Sequence, residues 1–201
     1  RISYDAVGEG RPLVLLHGWC CDRSWWTEPG YVDELRNDHR LVNLDIRGAA
    51  TELDRGVLEK MAGPFEHLIR NAIVHGLEVP AERRAAGKNE VGELTLDVRQ
   101  EGNEIIVIIN DDGAGLHLDR IQARAVERQL IAPDQILSDR ELMELIFQPG
   151  FTTATEVTEL AGRGVGMDVV RAELASFGGR ISISSESGRG TRFTLYLPMT
   201  L

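Results

Sequence analysis

The sequence predicts a mixed α/β (α+β) chain, in which strands supply a sheet and amphipathic helices cover it. Three observations predict this. Pro64–Glu78 carries Phe65, Leu68, Ile69, Ala72 and Ile73 at three- and four-residue steps, the period of a helix with one buried face. Two later stretches, 93–110 and 180–197, read as β-hairpins about a tight turn: Glu93–Gln100, Arg180–Ser185 and Thr191–Leu197 alternate apolar and polar residues, and Glu104–Asn110 is a more deeply buried strand. Near the start, Pro12–Leu16 and Arg40–Ile46 are apolar runs separated by a helix-like stretch, Tyr31–His39. Strand, crossover and strand in that order form a β-α-β unit, which favours parallel pairing.

Composition narrows the class further. A chain of 201 residues, 42% hydrophobic and 27% charged, fits a folded globular protein with one sizeable core or two small ones. No apolar run approaches the ~20 residues of a membrane span, and no basic-then-apolar signal opens the chain, so neither a membrane nor secretion is expected. The net charge of −10 disfavours nucleic acid as a partner. An anionic nucleotide then needs a local site of backbone N–H groups or a divalent cation. Cys20 and Cys21 are adjacent, a poor arrangement for a structural disulfide, and a cytoplasmic location is expected. Trp19, Trp25, Trp26 and both cysteines all fall within the first 48 residues. That asymmetry divides the chain into two pieces of different character, residues 1–48 and 49–201.

The second piece begins with a helical stretch at Thr51, which with Asp54 loosely fits a capping box. In the helix that follows, Pro64 suits the first turn and Gly76 the C-terminal cap. His67, Asn71 and His75 are each four residues apart and stack along one side. Two imidazoles and a carboxamide so aligned suit a metal ion or a phosphate chain; a solvated polar face is the alternative. Val79–Gly92, containing Lys88, is polar and turn-rich. Glu93–Gln100 and Glu104–Asn110 pair as the first hairpin, and the second strand runs straight into Asp111, Asp112, Gly113, Ala114 and Gly115. An acid at the end of a buried strand followed by glycines lets backbone approach a flat ligand, and its carboxylate can accept from an exocyclic amine such as adenine's. A simple turn explains the same residues equally well. Leu118–Leu130 and part of Pro133–Phe147 are helical, and 148–153 interrupt the pattern.

Gly162, Gly164 and Gly166 then open directly into the helical stretch Asp168–Phe177. Glycines at a helix N-terminus present free N–H groups to an anion, and the helix dipole reinforces them. A flexible linker is the alternative, but linkers seldom feed straight into an amphipathic helix. Arg180–Ser185 and Thr191–Leu197 form the second hairpin, closed by Pro198.

Taken in order, H-x-x-x-N-x-x-x-H, D-D-G-A-G, F-Q-P-G-F, G-R-G-V-G-M-D and G-T-R-F-T-L-Y-L-P closely resemble the ATP-binding catalytic domain of chemotaxis or type IV pilus sensor histidine kinases. These belong to the GHKL superfamily shared with gyrase. The resemblance covers about three quarters of the chain, from Ala49 to the end. It implies a Bergerat-type α/β sandwich, with helices on one face of a mixed sheet and ATP beneath a lid. It also implies that Asn71 is the principal Mg²⁺ ligand, with His67 assisting and His75 nearby, as the catalytic group. Asp111 is expected to accept from adenine, with Gly113 and Gly115 admitting the ring. Gly162, Gly164 and Gly166 are expected to wrap the phosphates, Thr191 to support the adenine end, and Phe147–Thr153 to belong to the lid. The function implied is a kinase module of two-component signalling that donates the γ-phosphoryl group of Mg-ATP to a histidine on a separate domain.

Two departures favour a second reading, a nucleotide-binding or structural module without turnover. Val74 stands where the chemotaxis branch often has an acid. The phosphoacceptor, dimerisation and receptor-coupling domains have no counterpart here, so turnover is expected only with an acceptor in trans. Residues 1–48, through L-V-L-L-H-G-W and L-V-N-L-D-I-R-G, resemble an incomplete N-terminal fragment of the α/β-hydrolases, which makes the chain look chimeric. No G-x-S-x-G nucleophile elbow occurs anywhere, so esterase activity is not expected and His17 reads as a turn residue. Arg40–Ile46 is expected to complete the sheet of the second piece. Pro12–Leu16 and the tryptophans then form an open edge that favours self-association.

Overall fold

The computed structural model describes residues 54–89, 92–151 and 166–200 with their side chains, and four strands within residues 2–47 by their backbone. The strands lie in one mixed sheet. Before residue 48 these are β1 (Ile2–Val7), β2 (Arg11–Leu16), β3 (His39–Leu44) and the short β4 (Ile46–Arg47). After it come β5 (Gly92–Glu101), β6 (Glu104–Asp111), β7 (Arg180–Glu186) and β8 (Gly190–Pro198). The order is β2-β3-β1-β5-β6-β8-β7, with β4 also pairing β5. Pairs β2/β3 and β4/β5 are parallel and the remainder antiparallel.

The parallel β2/β3 pair matches the strand–crossover–strand expectation; the Tyr31–Asp38 part of the expected crossover helix lies outside the described residues, and His39 opens β3. The strand expected over 40–46 appears as two, and Ile46 pairs directly with Leu96 of β5. β1, which alternation in I-S-Y-D-A-V could have signalled, was not expected and sits between β3 and β5. β2 lies at one end of the strand order, the position in a sheet where a proline such as Pro12 is tolerated.

The helices among the described residues are α1 (Arg55–Asn71), continued by a single π-turn (Ala72–Gly76), α2 (Pro80–Ala85), α3 (Leu118–Glu127), α4 (Asp139–Glu144) with a 3₁₀ turn to Phe147, and α5 (Met167–Ser176). Side-chain alternation places one face of the central strands in the core. Ile105, Val107 and Ile109 of β6 lie in register with Leu197, Leu195 and Phe193 of β8, and all six are buried. Val57, Met61 and Leu68 of α1, Ile121 and Ala125 of α3, and Val170 and Leu174 of α5 complete that core. Glu104 and Arg180, on the opposite face, are ion-paired, and the Arg180 guanidinium lies over Tyr196.

Two local expectations are corrected. Helix α1 begins at Arg55, capped by Asp54, whose carboxylate accepts from the amides of Gly56 (2.8 Å) and Val57 (3.3 Å). Asp54 is therefore the cap itself and not the fourth residue of a box begun at Thr51, which lies outside the described residues. Pro64 sits inside the helix, not at its start. An interior proline loses one backbone hydrogen bond and crowds the preceding turn, which costs about 3 kcal/mol. Here Val57, Met61, Pro64 and Leu68 form one buried stripe at steps of four, three and four, and their burial offsets that loss. The polar segment after Gly76 also contains an unexpected short helix, α2, with Pro80 at its first position.

Candidate functional site

The strand alternation that buries Ile105, Val107 and Ile109 carries Asp111 onto the same, helix-covered face of β6. Asp111 is only 3% exposed. Its Oδ1 accepts from the amides of Gly113 (2.9 Å) and Thr191 (3.2 Å). Its Oδ2 accepts no hydrogen bond among the described residues. Burial pushes the Asp111 carboxyl up to about 6; the two amides oppose this, and the charges of Asp112 and Glu78 add to it. A buried carboxylate with one oxygen anchored and one unpartnered is built to accept a hydrogen bond from something that is not part of the fold.

Backbone crowds round this carboxylate. A Cβ on Gly113 would overlap the Gly76 carbonyl, and the neighbouring Ala114 amide donates to that same carbonyl at 2.8 Å. A Cβ on Gly76 would lie 3.2 Å from both oxygens and the Cγ of Asp111, a tight contact over the face of the carboxylate. Gly115 has a positive φ and packs against the Glu186 carbonyl. Thr191 is buried, and its hydroxyl lies 3.1 Å from that of Ser185, which in turn accepts from the Leu116 amide at 2.8 Å. The hairpin between β7 and β8 thus fixes both ends of the loop after β6.

The His67–Asn71–His75 stripe runs along the same helix unit that ends at Gly76. Asn71 is the last α-helical residue, and the following turn is π, closed by the Leu77 amide donating to the Ala72 carbonyl at 2.8 Å. Single π-turns of this kind occur often at functional sites. The Asn71 amide nitrogen donates to Met167 Sδ at 3.5 Å, leaving its oxygen to accept or ligate. His67 is half-buried, and burial, followed by the charges of Arg70 and His75, holds its imidazole below its ordinary value; Asp168 and Glu66 oppose this. The ring is therefore held toward its neutral form, the form that ligates a metal. His75 is exposed. Among the described residues no cluster of three His, Cys, Asp or Glu side chains could hold a metal ion. A cation at Asn71 and His67 must draw most of its shell from phosphate and water, which is how Mg²⁺ is usually held.

Gly166 caps α5 with extended backbone, so the first turn of that helix, beginning at Met167, faces the end of α1. Gly162 and Gly164 lie outside the described residues. Phe147 and Phe151, expected in the lid, are buried in the core, so this stretch anchors to the domain; Thr152 and Thr153 lie outside the described residues. Sequence reasoning missed Gly76 as a neighbour of Asp111, and it missed Ser185. It also missed a polar network formed by Glu78, Arg83, Lys88 and Asp112 beside the loop. Burial raises the Glu78 carboxyl, but the hydrogen bond from Lys88 and the nearby positive charges outweigh it, and the net direction is down.

This arrangement sets a buried acceptor beside a glycine loop and puts an Asn–His helix against the start of another helix. It matches the "Histidine kinase-, DNA gyrase B-, and HSP90-like ATPase" family model over residues 62–201. The chain belongs to this family. Among curated relatives it is 46% identical to the chemotaxis protein CheA of Rhizobium meliloti (strain 1021) over 160 residues, covering 80% of this chain and 21% of that protein. It is 42% identical to the chemotaxis protein CheA of Bacillus subtilis (strain 168) over 176 residues, covering 86% of this chain and 26% of that one. The chain thus spans only about a quarter of the length of the relatives it matches. The catalytic domain of histidine kinase ThkA is a solved structure similar over 75% of this chain and 70% of its own, at 21% identity and a TM-score of 0.42. By the family match the chain is an ATPase-type, ATP-binding unit. No helix among the described residues is long and apolar enough to cross a membrane.

Proposed function

We propose that the chain binds Mg-ATP and donates the γ-phosphoryl group to a histidine on a separate domain, as a histidine protein kinase module of the chemotaxis type. The observation that carries this reading is the Asp111 carboxylate, buried, anchored through one oxygen and unpartnered through the other. Adenine's exocyclic amine supplies the missing donor, and Gly76 and Gly113 keep that approach open. Thr191 holds the carboxylate in place, and Gly115 shapes the loop. At the other end Asn71 and His67 hold Mg²⁺, with His75 alongside. Gly162, Gly164 and Gly166 offer N–H groups to the phosphates at the start of α5. Bound Mg²⁺ supplies charge neutralisation on the phosphate oxygens. The chain's own part is to bind, orient and bring the nucleotide to the acceptor.

A cytoplasmic location, without nucleic acid or membrane as partner, goes with this reading. The division into a hydrolase-like segment, 1–48, and the ATP-binding part, 49–201, rests on the motifs quoted above alone; the Bacillus subtilis CheA alignment, over 86% of the chain, reaches into residues before 49. Self-association through the edge strand β2 belongs to the same proposal and is read by sedimentation.

The test is titration calorimetry of ATP with and without Mg²⁺ on this chain and on Asn71→Ala. Magnesium-dependent binding that the substitution abolishes supports the reading. A well-folded chain that binds no ATP overturns it. Val74 favours the second reading, binding without turnover; adding a histidine acceptor domain separates the two, because only the kinase consumes ATP.

A further inference from the structure

We propose that Lys88, backed by Arg83, positions the base end of the nucleotide site by holding the backbone of the loop after Asp111. This rests on the nucleotide reading above. Lys88 directs its ammonium hydrogens to Glu78 Oε1 (2.7 Å), the Asp112 carbonyl (2.9 Å) and the Gly113 carbonyl (2.7 Å). An ammonium group has three hydrogens, and these three acceptors use them all. Arg83 is 1% exposed and donates to Glu78 Oε2 (3.1 Å), Asp112 Oδ2 (2.7 Å) and the carbonyls of Asn89 (2.7 Å) and Asp112 (3.3 Å). Asp112 Oδ1 accepts in turn from the Glu93 amide in β5 (2.7 Å).

The physical need comes from the loop itself. Close approach to Gly76 forbids a side chain at 113, so side-chain packing cannot fix that residue. Charge-assisted bonds to its carbonyl can, and they are roughly twice as strong as neutral ones. Gly113 then transmits the restraint: its carbonyl accepts from Lys88 while its amide donates to Asp111 Oδ1 at 2.9 Å. Two hydrogen bonds therefore separate the Lys88 ammonium from the base-accepting carboxylate. Lys88 acts through Gly113 and is a positioning residue.

The test compares Lys88→Met with Arg99→Met, which removes an equal charge from the exposed pair with Glu101. Mg-ATP and Mg-tripolyphosphate are titrated into each, and amide exchange is followed without ligand. The expected result for Lys88→Met is about tenfold weaker Mg-ATP binding, the size of a lost hydrogen bond to a charged group. Tripolyphosphate, which has no base, is expected to bind unchanged. The Gly113 amide is expected to exchange faster while the Leu195 amide in β8 does not change, and Arg99→Met is expected to alter none of these. Equal losses for ATP and tripolyphosphate, or an unchanged Gly113 exchange rate, overturn the proposal. If the unsubstituted chain binds no ATP, the nucleotide reading fails by itself, and the exchange rate still decides whether Lys88 holds the loop. Should Lys88→Met not fold, Lys88→Gln, which removes the ammonium but keeps a polar side chain, reads the same quantities.

Discussion

The Gly76 carbonyl accepts the Ala114 amide hydrogen at 2.8 Å, joining the helix unit of His67 and Asn71 to the loop of Asp111 through a single backbone bond. The two ends of the proposed nucleotide site therefore cannot shift independently. Gly113→Ala places a methyl group inside the Gly76 carbonyl and must break this join. We expect it to cost about 1–3 kcal/mol of stability and to abolish ATP binding. Gly76→Ala, whose Cβ abuts Asp111 at 3.2 Å, is expected to weaken ATP binding with a smaller effect on stability. Thermal melts alongside calorimetry check both; ATP affinity untouched by either substitution would refute the join.

Asp111 makes the protein pH-dependent in a defined direction. Its carboxyl rises from an ordinary 3.8 to about 6 in the folded state, so between those values the folded protein holds a proton the unfolded chain has lost. Stability therefore falls as pH rises through that window, by up to about 3 kcal/mol for roughly two pKa units, and is flat above it. Asp111→Asn is expected to flatten the dependence, measured as the melting temperature from pH 4 to 8. Nucleotide binding runs the other way, because a protonated oxygen donates where it must accept. ATP affinity at pH 5 is expected to be about tenfold below its value at pH 7.

His67 shows the opposite linkage sign. Its imidazole is held low, so the stability it contributes is fully present above its ordinary value of 6.5 and is lost as pH falls through its lower folded value. A ring-proton titration by NMR should place His67 below 6.5, and a value at or above 6.5 would remove the argument that it stays neutral.

Val74 is 53% exposed on the π-turn beside Asn71, so an acid can replace it without disturbing packing. Val74→Asp is expected to raise phosphotransfer to an added acceptor domain by about tenfold, the scale of an outer-shell partner, with ATP affinity changing little. An unchanged rate under single-turnover conditions would show that the valine does not limit turnover.

The division near residue 48 is tested by truncation. Residues 49–201 alone are expected to bind ATP, since the described site residues all lie there. Their melting temperature is expected to fall by about 5 °C or more, because β5 loses its neighbours β1 and β4 and keeps only β6. Loss of folding would make the N-terminal strands integral to the unit.

Much of the fold was legible because its signals are local. The unbroken apolar run in E-I-I-V-I-I-N marks β6 as a deeply buried strand. Both of its faces are apolar, however, so only the packed sheet decides that Ile105, Val107, Ile109 and Asp111 share the helix-covered face. The four-residue spacing of His67, Asn71 and His75 survives, although the helix starts nine residues earlier than Pro64 suggested. Proline's helix-start preference is a local propensity, and the buried stripe from Val57 to Leu68 overrode it. Arg83 and Lys88 read as ordinary charges in a polar segment, because nothing local reveals that their partners lie across the loop.

By itself, then, the sequence determined the strand and helix periods, the acid after β6, the glycines around it and the family likeness, all of which depend on residues within a few positions of one another. Tertiary structure alone decided that Asp111 meets the Thr191 amide 80 residues away and that Lys88 grips Gly113 25 residues away. It also decided that the backbone of Gly76 lies against the Asp111 carboxylate. Those meetings are set by the register of β6 on β8 and by the docking of the π-turn on the loop. Register and docking follow from side-chain burial summed over the whole sheet, which no short stretch of sequence contains.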